Sequence, residues 1–407
     1  MCVQRKLNWD PCFANRMAGM QASEIRELLK VAERPDVISF AGGIPDPALF
    51  AQSHIRQAYD KILSDPVLAR KALQYSVSEG DAGLRAWIAT HMASKGVDCT
   101  PDNILITNGS QQALEFIGKL FISPGDTALV NAPTYLGALQ AFAPNQPMYD
   151  DLQLENTNRT ISSYHSTAKA LGSHVRFSYV VPDFANPTGE TMSKEARIKL
   201  LDLARGLNIP IVEDSPYYAL RFDGAPVRSI QALDIDQCGT IEHARVMYCG
   251  SFSKIFTPGL RVGWVCARKD IITRLCLIKQ ASDLNSPAIN QLVMLHLAQT
   301  TYDTQVNNAI AHYRKKRDVM LEALEKYMPK GAVWSRPKGG MFIWLTLPKD
   351  IDTTAILPKA IAQCGVAYVP GDAFFANKSA KNMLRLSYSL PALEKIAPGI
   401  AKLATLF

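Results

Sequence analysis

Between residues 101 and 268 the chain alternates short apolar runs with longer stretches in which apolar residues recur every three to four positions. The runs cover residues 104–107, 128–130, 179–181, 209–212, 246–248 and 262–265. They are nearly continuous and rich in Val and Ile, which is the pattern of strands buried on both faces of a parallel sheet. Helical periodicity fills residues 111–121, 135–143 and 194–205. Strand–helix alternation of this kind predicts an α/β fold, a mostly parallel sheet covered by helices on both faces. After residue 268 the texture changes. A long helical pattern over 304–327 precedes short strands at 341–345, 366–369 and 383–387, and a last helix over 392–406, which together read as a smaller α+β domain. The opening segment has one amphipathic helix, 24–31, and no sheet of its own. We therefore expect residues 1–60 to join the small domain, 61–300 to form the large domain and 301–407 the small C-terminal domain. No run approaches the ~18 apolar residues of a membrane span. Residues 1–17 mix Arg5, Lys6, Asp10 and Arg16 with apolar residues, so no signal peptide is read and the cytoplasm is the expected location.

Composition changes this picture little. A chain of 407 residues, 47% hydrophobic and 20% charged, is an ordinary globular protein and excludes a disordered or fibrous one. The balance of 44 basic and 37 acidic residues gives a net charge of +7. The basic residues are scattered, and the densest group, Arg314-Lys315-Lys316-Arg317, reads as the solvated face of a helix. Nucleic acid is therefore not the expected partner, although positive charge suits anionic substrates. The eight cysteines include no CxxC pair and the seven histidines form no ligand cluster, so reduced thiols and no metal are expected.

Ligands of open α/β sheets lie beyond the carboxyl ends of the strands, and four strand ends carry chemistry. Residues 104–107 lead into Asn108-Gly109-Ser110 and a helix start, either a plain cap or a cradle for an anion. The third run is followed by the loop Asn186-Pro187-Thr188-Gly189. The fourth ends in Glu213-Asp214, where a buried carboxylate needs a partner such as a cation or a protonated ring nitrogen. The fifth runs into Ser251-Phe252-Ser253-Lys254, with Pro258-Gly259-Leu260-Arg261 beyond it. Hydroxyls and a guanidinium suit a phosphate, and a lysine there suits Schiff-base chemistry if its pKa falls. Together the four ends meet the needs of pyridoxal 5′-phosphate.

These motifs resemble those of the fold-type I, pyridoxal-phosphate-dependent class I/II aminotransferases. The stretches Ile38-Ser39-Phe40-Ala41-Gly42-Gly43-Ile44-Pro45, Gln74-Tyr75-Ser76, Asn108-Gly109-Ser110-Gln111 and Pro337-Lys338-Gly339-Gly340-Met341-Phe342 are similar to the 2-aminoadipate and kynurenine aminotransferase branch. The resemblance runs from about Gln21 to the end, while residues 150–173 match no motif of the family. It implies that Lys254 forms the Schiff base and shuttles the proton, and that Asp214 pairs with the pyridinium nitrogen. Asn186 and Tyr217 would bond the ring hydroxyl, and Tyr135 would stack on the ring. Ser110, Gln111, Ser251, Ser253 and Arg261 would hold the phosphate. Tyr75 would reach the phosphate of a neighbouring subunit, making a homodimer the working unit. Arg385 would clamp the substrate α-carboxylate with help from Asn186. Gly43 would belong to a closing lid, and Arg26 would meet a distal carboxylate, unless it is simply a surface charge on its helix.

The implied reaction is ping-pong transfer of an amino group from an L-amino acid of the 2-aminoadipate, aromatic or kynurenine, leucine or glutamate type to a 2-oxo acid such as 2-oxoglutarate. Decarboxylation, elimination or racemisation at the same cofactor is a second reading, because fold does not fix the outcome. A cofactor-binding regulator without enzyme activity is a third.

Overall fold

The computed structural model describes residues 7–20, 34, 36–154, 159–377 and 381–407. The helix expected over 24–31, with Arg26 on it, lies outside these residues. The central sheet has seven strands: β2 (Ile104–Thr107), β3 (Thr127–Val130), β4 (Met148–Asp151), β5 (Val175–Val180), β6 (Ile211–Asp214), β7 (Val246–Ser251) and β8 (Gly263–Cys266), while β1 (Ile38–Ser39) lies elsewhere. Their order is β2-β8-β7-β6-β5-β3-β4. Pairings β3–β4, β3–β5, β5–β6 and β6–β7 are parallel, and β8 runs against both of its neighbours. The carboxyl ends of β2, β3, β5, β6 and β7 therefore open on one edge of the sheet.

Helices up to the sheet's last crossover are α1 (Gln52–Ser64), α2 (Pro66–Leu73), α3 (Ala82–Ala93), α4 (Ser110–Phe121), α5 (Leu136–Phe142), α6 (Ile161–Ala170), α7 (Lys194–Leu207) and α8 (Ile230–Cys238). They are followed by α9 (Lys269–Ser282), α10 (Ala288–Tyr327), α11 (Thr353–Lys359) and α12 (Leu393–Ala404). Local chemistry sets several boundaries. The Ser193 hydroxyl accepts from Ala196 N–H at the start of α7, and Asn208 ends that helix in the left-handed region at φ 52°. Apolar side chains from α4, α5 and α9 fill one face of the sheet, and those from α7 and α8 the other.

The small domain is a four-stranded sheet, β12-β13-β10-β9, of β9 (Val333–Trp334), β10 (Phe342–Thr346), β12 (Val369–Pro370) and β13 (Met383–Ser387). The strand expected over 366–369 is split at Tyr368, because β11 (Val366–Ala367) leaves this sheet to pair with β1. Helix α10 is 40 residues long, longer than the periodicity suggested. Its first half enters the core under the large sheet through Leu292, Val293 and Leu297, and its second half enters the small-domain core through Tyr313, Met320 and Leu324. The apolar face rotates between the two cores, which is why a single periodic window caught only one of them. The expected solvated face at 314–317 is corrected here: Lys316 and Arg317 are buried. Lys316 pairs with Asp46 and donates to Ser389 O at 2.9 Å, while Arg317 pairs with Asp223.

Behind the Asn186 loop lies a fully buried Asp183. It is 2.7 Å from Arg221 and 3.0 Å from Arg197, and Arg197 also donates to the carbonyls of Pro182, Met192 and Arg228. Removing one member of such a cluster leaves uncompensated charge. Asp183→Ala should lower stability by about 3–5 kcal/mol, read as a lower urea midpoint by circular dichroism.

Candidate active site

Lys254 follows β7 and lies over the edge where β6 and β7 end. Its Nζ donates to Gly43 O at 3.0 Å and stands 5.9 Å from the centre of the Tyr217 ring. Burial pulls the amine down to about 8. The positive charges of Arg261 and Arg385 act the same way, and Asp214 opposes them. Gly43 is where the chain passes between Phe342 and this lysine. A Cβ there would come 2.6 Å from Phe342 Cζ, so a larger residue would displace the ring.

Asp214 ends β6 and is 1% exposed. Its Oδ2 accepts from the Tyr179 hydroxyl at 2.9 Å, and its Oδ1 has no partner. Burial raises the carboxyl to about 7, against the Tyr179 bond and the Lys254 charge. Glu213, the preceding residue, projects to the other face of the strand. It is spent on structure, accepting from Ile230 and Gln231 N–H at the start of α8. Of the two acids, only Asp214 is open to a ligand.

Arg385 comes from β13. Its Nη1 donates to Asn186 Oδ1 at 2.7 Å and its Nη2 to Ala41 O, and its Nε has no partner. The guanidinium lies 4.4 Å from the Phe342 ring centre and 5.0 Å from that of Phe374. Burial lowers it to about 10. It is nonetheless a cation, ready to exchange a carbonyl for a carboxylate. Burial also drives the Tyr217 hydroxyl far above its ordinary value, against a hydrogen bond from Asn186.

The candidate anion cradle lies where β2 meets α4. Gly109 takes φ +76°, and a Cβ on it would stand 2.5 Å from Arg261 Nη2. Arg261, itself left-handed at φ 53°, donates from that nitrogen to Asn108 O at 3.1 Å. Ser110 opens the helix, and Gln111 donates to Gly137 O at 2.7 Å. Ser251 Oγ accepts from Ser253 N–H at 3.1 Å, closing the turn that leads to Lys254. Tyr135 lies over Gly137, close enough to Asp214 for that charge, after burial, to help push its hydroxyl up to about 12.

The structure thus brings Lys254, Asp214, Asn186, Tyr217, Tyr135, Arg385 and Gly43 together, with the Ser110–Arg261 cradle beside them. Tyr75 is apart from them, 79% exposed. Sequence reasoning missed Tyr179. Its signal was register: Tyr179 pairs with Val212, two residues before Asp214 and on the same face. It also missed the two phenylalanine rings that enclose Arg385. The residues fit pyridoxal 5′-phosphate on the open Oδ1 of a buried carboxylate, which a ring N–H would satisfy, and on the cation-flanked helix start. Among the described residues no three His, Cys, Asp or Glu side chains group as a metal site, and no helix is long and apolar enough to cross a membrane.

A family model, "Aminotransferase class I and II", matches residues 50–400. The chain is 42% identical over 403 residues to the aromatic-amino-acid aminotransferase 1 of Thermococcus litoralis, covering 98% of this chain and 94% of the relative. It is 40% identical to the solved kynurenine aminotransferase of Pyrococcus horikoshii in complex with PMP, KYN and KYA, at a TM-score of 0.89 over 98% of this chain and 97% of that one. It is 36% identical to the α-aminoadipate aminotransferase of Thermus thermophilus, complexed with N-(5′-phosphopyridoxyl)-L-leucine, at a TM-score of 0.88 over 98% of both chains.

The neutral amine is the nucleophile, so labelling of Lys254 by a small aldehyde with borohydride trapping should be half-maximal near pH 8. Surface lysines should reach that point near 10.4. Because Asp214 raises the Lys254 pKa, Asp214→Asn should move the midpoint lower. Peptide mass spectrometry across pH reads both.

Proposed function

Because the chain belongs to the class I and II aminotransferases and works with pyridoxal 5′-phosphate, we propose that Lys254, Asp214 and Arg385 carry its transfer of an amino group from a long acidic or aromatic L-amino acid to a 2-oxo acid such as 2-oxoglutarate. One observation carries this assignment: an amine held down at about 8 shares a sheet edge with a buried carboxylate whose Oδ1 is open.

When bound, the cofactor supplies an electrophilic carbon for the amine and a ring that takes up the charge left when the α-proton departs. Asp214, whose Oδ1 has no protein partner, would hold the ring nitrogen and favour its protonated form, with Tyr179 fixing the carboxylate through Oδ2. Lys254 Nζ, neutral above its midpoint, takes the α-proton and returns a proton to the product. Arg385 binds the α-carboxylate in place of the Ala41 carbonyl, with the Asn186 amide steadying its fork. A clamp on the carboxylate favours keeping that group and speaks against decarboxylation. Donor and acceptor both need this one arginine, so they bind in turn, which is ping-pong behaviour.

Asn186 and Tyr217 would serve the ring hydroxyl and Tyr135 the ring face. Ser110, Gln111, Ser251, Ser253 and Arg261 would hold the phosphate. Exposed Leu73, Tyr75 and Val77 support a homodimer in which the partner subunit's Tyr75 completes that set. A cleft of about 840 Å³ bordered by Tyr135, Asn186, Arg221 and Lys338 supports long donor side chains. Seven free cysteines among the described residues support a reducing compartment such as the cytoplasm.

Adding kynurenine, 2-aminoadipate or an aromatic amino acid should bleach the cofactor's visible band, and 2-oxoglutarate should restore it. A band that no donor bleaches would refute the assignment. Lys254→Ala should abolish the cycle. Arg385→Lys should raise KM for donor and acceptor alike by roughly ten- to a hundredfold while leaving the resting spectrum in place.

A further inference from the structure

Beneath the head of α4 lies a buried ionic cluster that none of the roles above uses. Lys279, near the end of α9, has a fully buried side chain. Its ammonium donates to Asp283 Oδ1 and Oδ2 at 3.0 and 2.9 Å, to Ser286 Oγ at 3.0 Å and to Gln112 Oε1 at 3.3 Å. Every proton of the ammonium is thus engaged. Asp283 Oδ2 also accepts from Asn108 Nδ2 at 2.7 Å and from Gln112 Nε2 at 2.8 Å. Gln112 Oε1 in turn accepts from Asn108 N–H at 2.9 Å. These bonds grip both ends of the loop that carries Gly109, Ser110 and Gln111, and the Asn108 carbonyl between them receives Arg261.

The charge arrangement has a consequence. A carboxylate one side chain away from an anion cradle repels the anion it should help to hold. Here the carboxylate is neutralised from behind by a lysine that solvent does not reach. We propose that Lys279 is a positioning residue for the cofactor's phosphate: it cancels the charge of Asp283 and lets that carboxylate orient Asn108 and Gln112 at the helix start. The inference rests on reading the Ser110–Arg261 loop as the phosphate cradle. Lys279 itself touches no part of the cofactor.

The test compares pyridoxal 5′-phosphate with pyridoxal, which lacks the phosphate, by equilibrium dialysis of the full-length protein, with inorganic phosphate as competitor. Lys279→Met should raise the Kd for pyridoxal 5′-phosphate and for inorganic phosphate by about tenfold or more. Pyridoxal binding should stay within about twofold, since the Lys254 and Asp214 contacts are untouched. Adding Asp283→Asn to Lys279→Met removes the orphaned charge and should recover most of the loss, which a packing defect would not allow. Equal losses for both ligands, or a double variant as weak as the single one, would overturn the proposal. If Lys279→Met does not fold, Asn108→Ala cuts the same tether while keeping the ion pair. It should weaken pyridoxal 5′-phosphate by about fivefold and spare pyridoxal, and an unchanged Kd would overturn the proposal. A wild-type protein that holds pyridoxal as tightly as its phosphate would overturn the cradle reading itself, whereas a normal preference unaffected by the variants overturns only the role of Lys279.

Discussion

Asp214 holds a carboxylate at the end of a strand where water does not reach, and one of its oxygens meets no protein donor. An isolated buried anion is costly, and the group responds by rising towards neutrality. The cost is bearable only beside something that wants a negative charge. The neighbourhood is arranged accordingly: Lys254 stands close enough for its charge to be felt by the carboxylate, and Tyr179 supplies one hydrogen bond and no more. The site is a set of charges that the fold leaves unbalanced and a ligand completes.

The parallel sheet is what permits this. Because β2, β5, β6 and β7 run the same way, their following residues all reach one edge, and residues far apart in sequence, Asn108, Asn186, Asp214 and Lys254, become neighbours. The small domain supplies what the sheet lacks. Arg385 reaches the Asn186 loop from β13, and the segment through Gly43 crosses over Lys254 while Asp46 is anchored to Lys316 on α10. Helix α10 belongs to both cores, so the distance between sheet edge and small domain is set by continuous helix rather than by a loop.

How much of this could be read from the chain depended on the kind of signal. Strands buried on both faces announce themselves by uninterrupted apolar runs, and the residues just after them were the right places to look for chemistry. Lys254, Asp214 and Asn186 were visible for that reason. The reversed direction of β8 was not, because an apolar run carries no arrow. Lys316 and Arg317 looked solvated because charge is normally exposed, and only the fold shows the carboxylates of Asp46 and Asp223 waiting for them. Tyr179 and Lys279 were hidden for a related reason: each acts on another side chain, and that relation exists only once strands or helices are in register. Tyr75 marks a different boundary, since the packing of its own chain gives an exposed side chain no role to read.

The electrostatics of Lys254 tie these layers together. Its amine is held low first by burial and then by Arg261 and Arg385, which are also the cations suited to a phosphate and to a carboxylate. Each anion that arrives cancels one of the fields lowering the amine's pKa. A filled cradle and a filled clamp therefore make Lys254 more basic than it is in the empty site, and a departing anion makes it less so. The readiness of the lysine to accept a proton is thus coupled through charge to the two arginines that flank it. Arg385 is the stronger lever, because it is buried and the Phe342 and Phe374 rings that enclose it keep its field unscreened, whereas Arg261 is exposed.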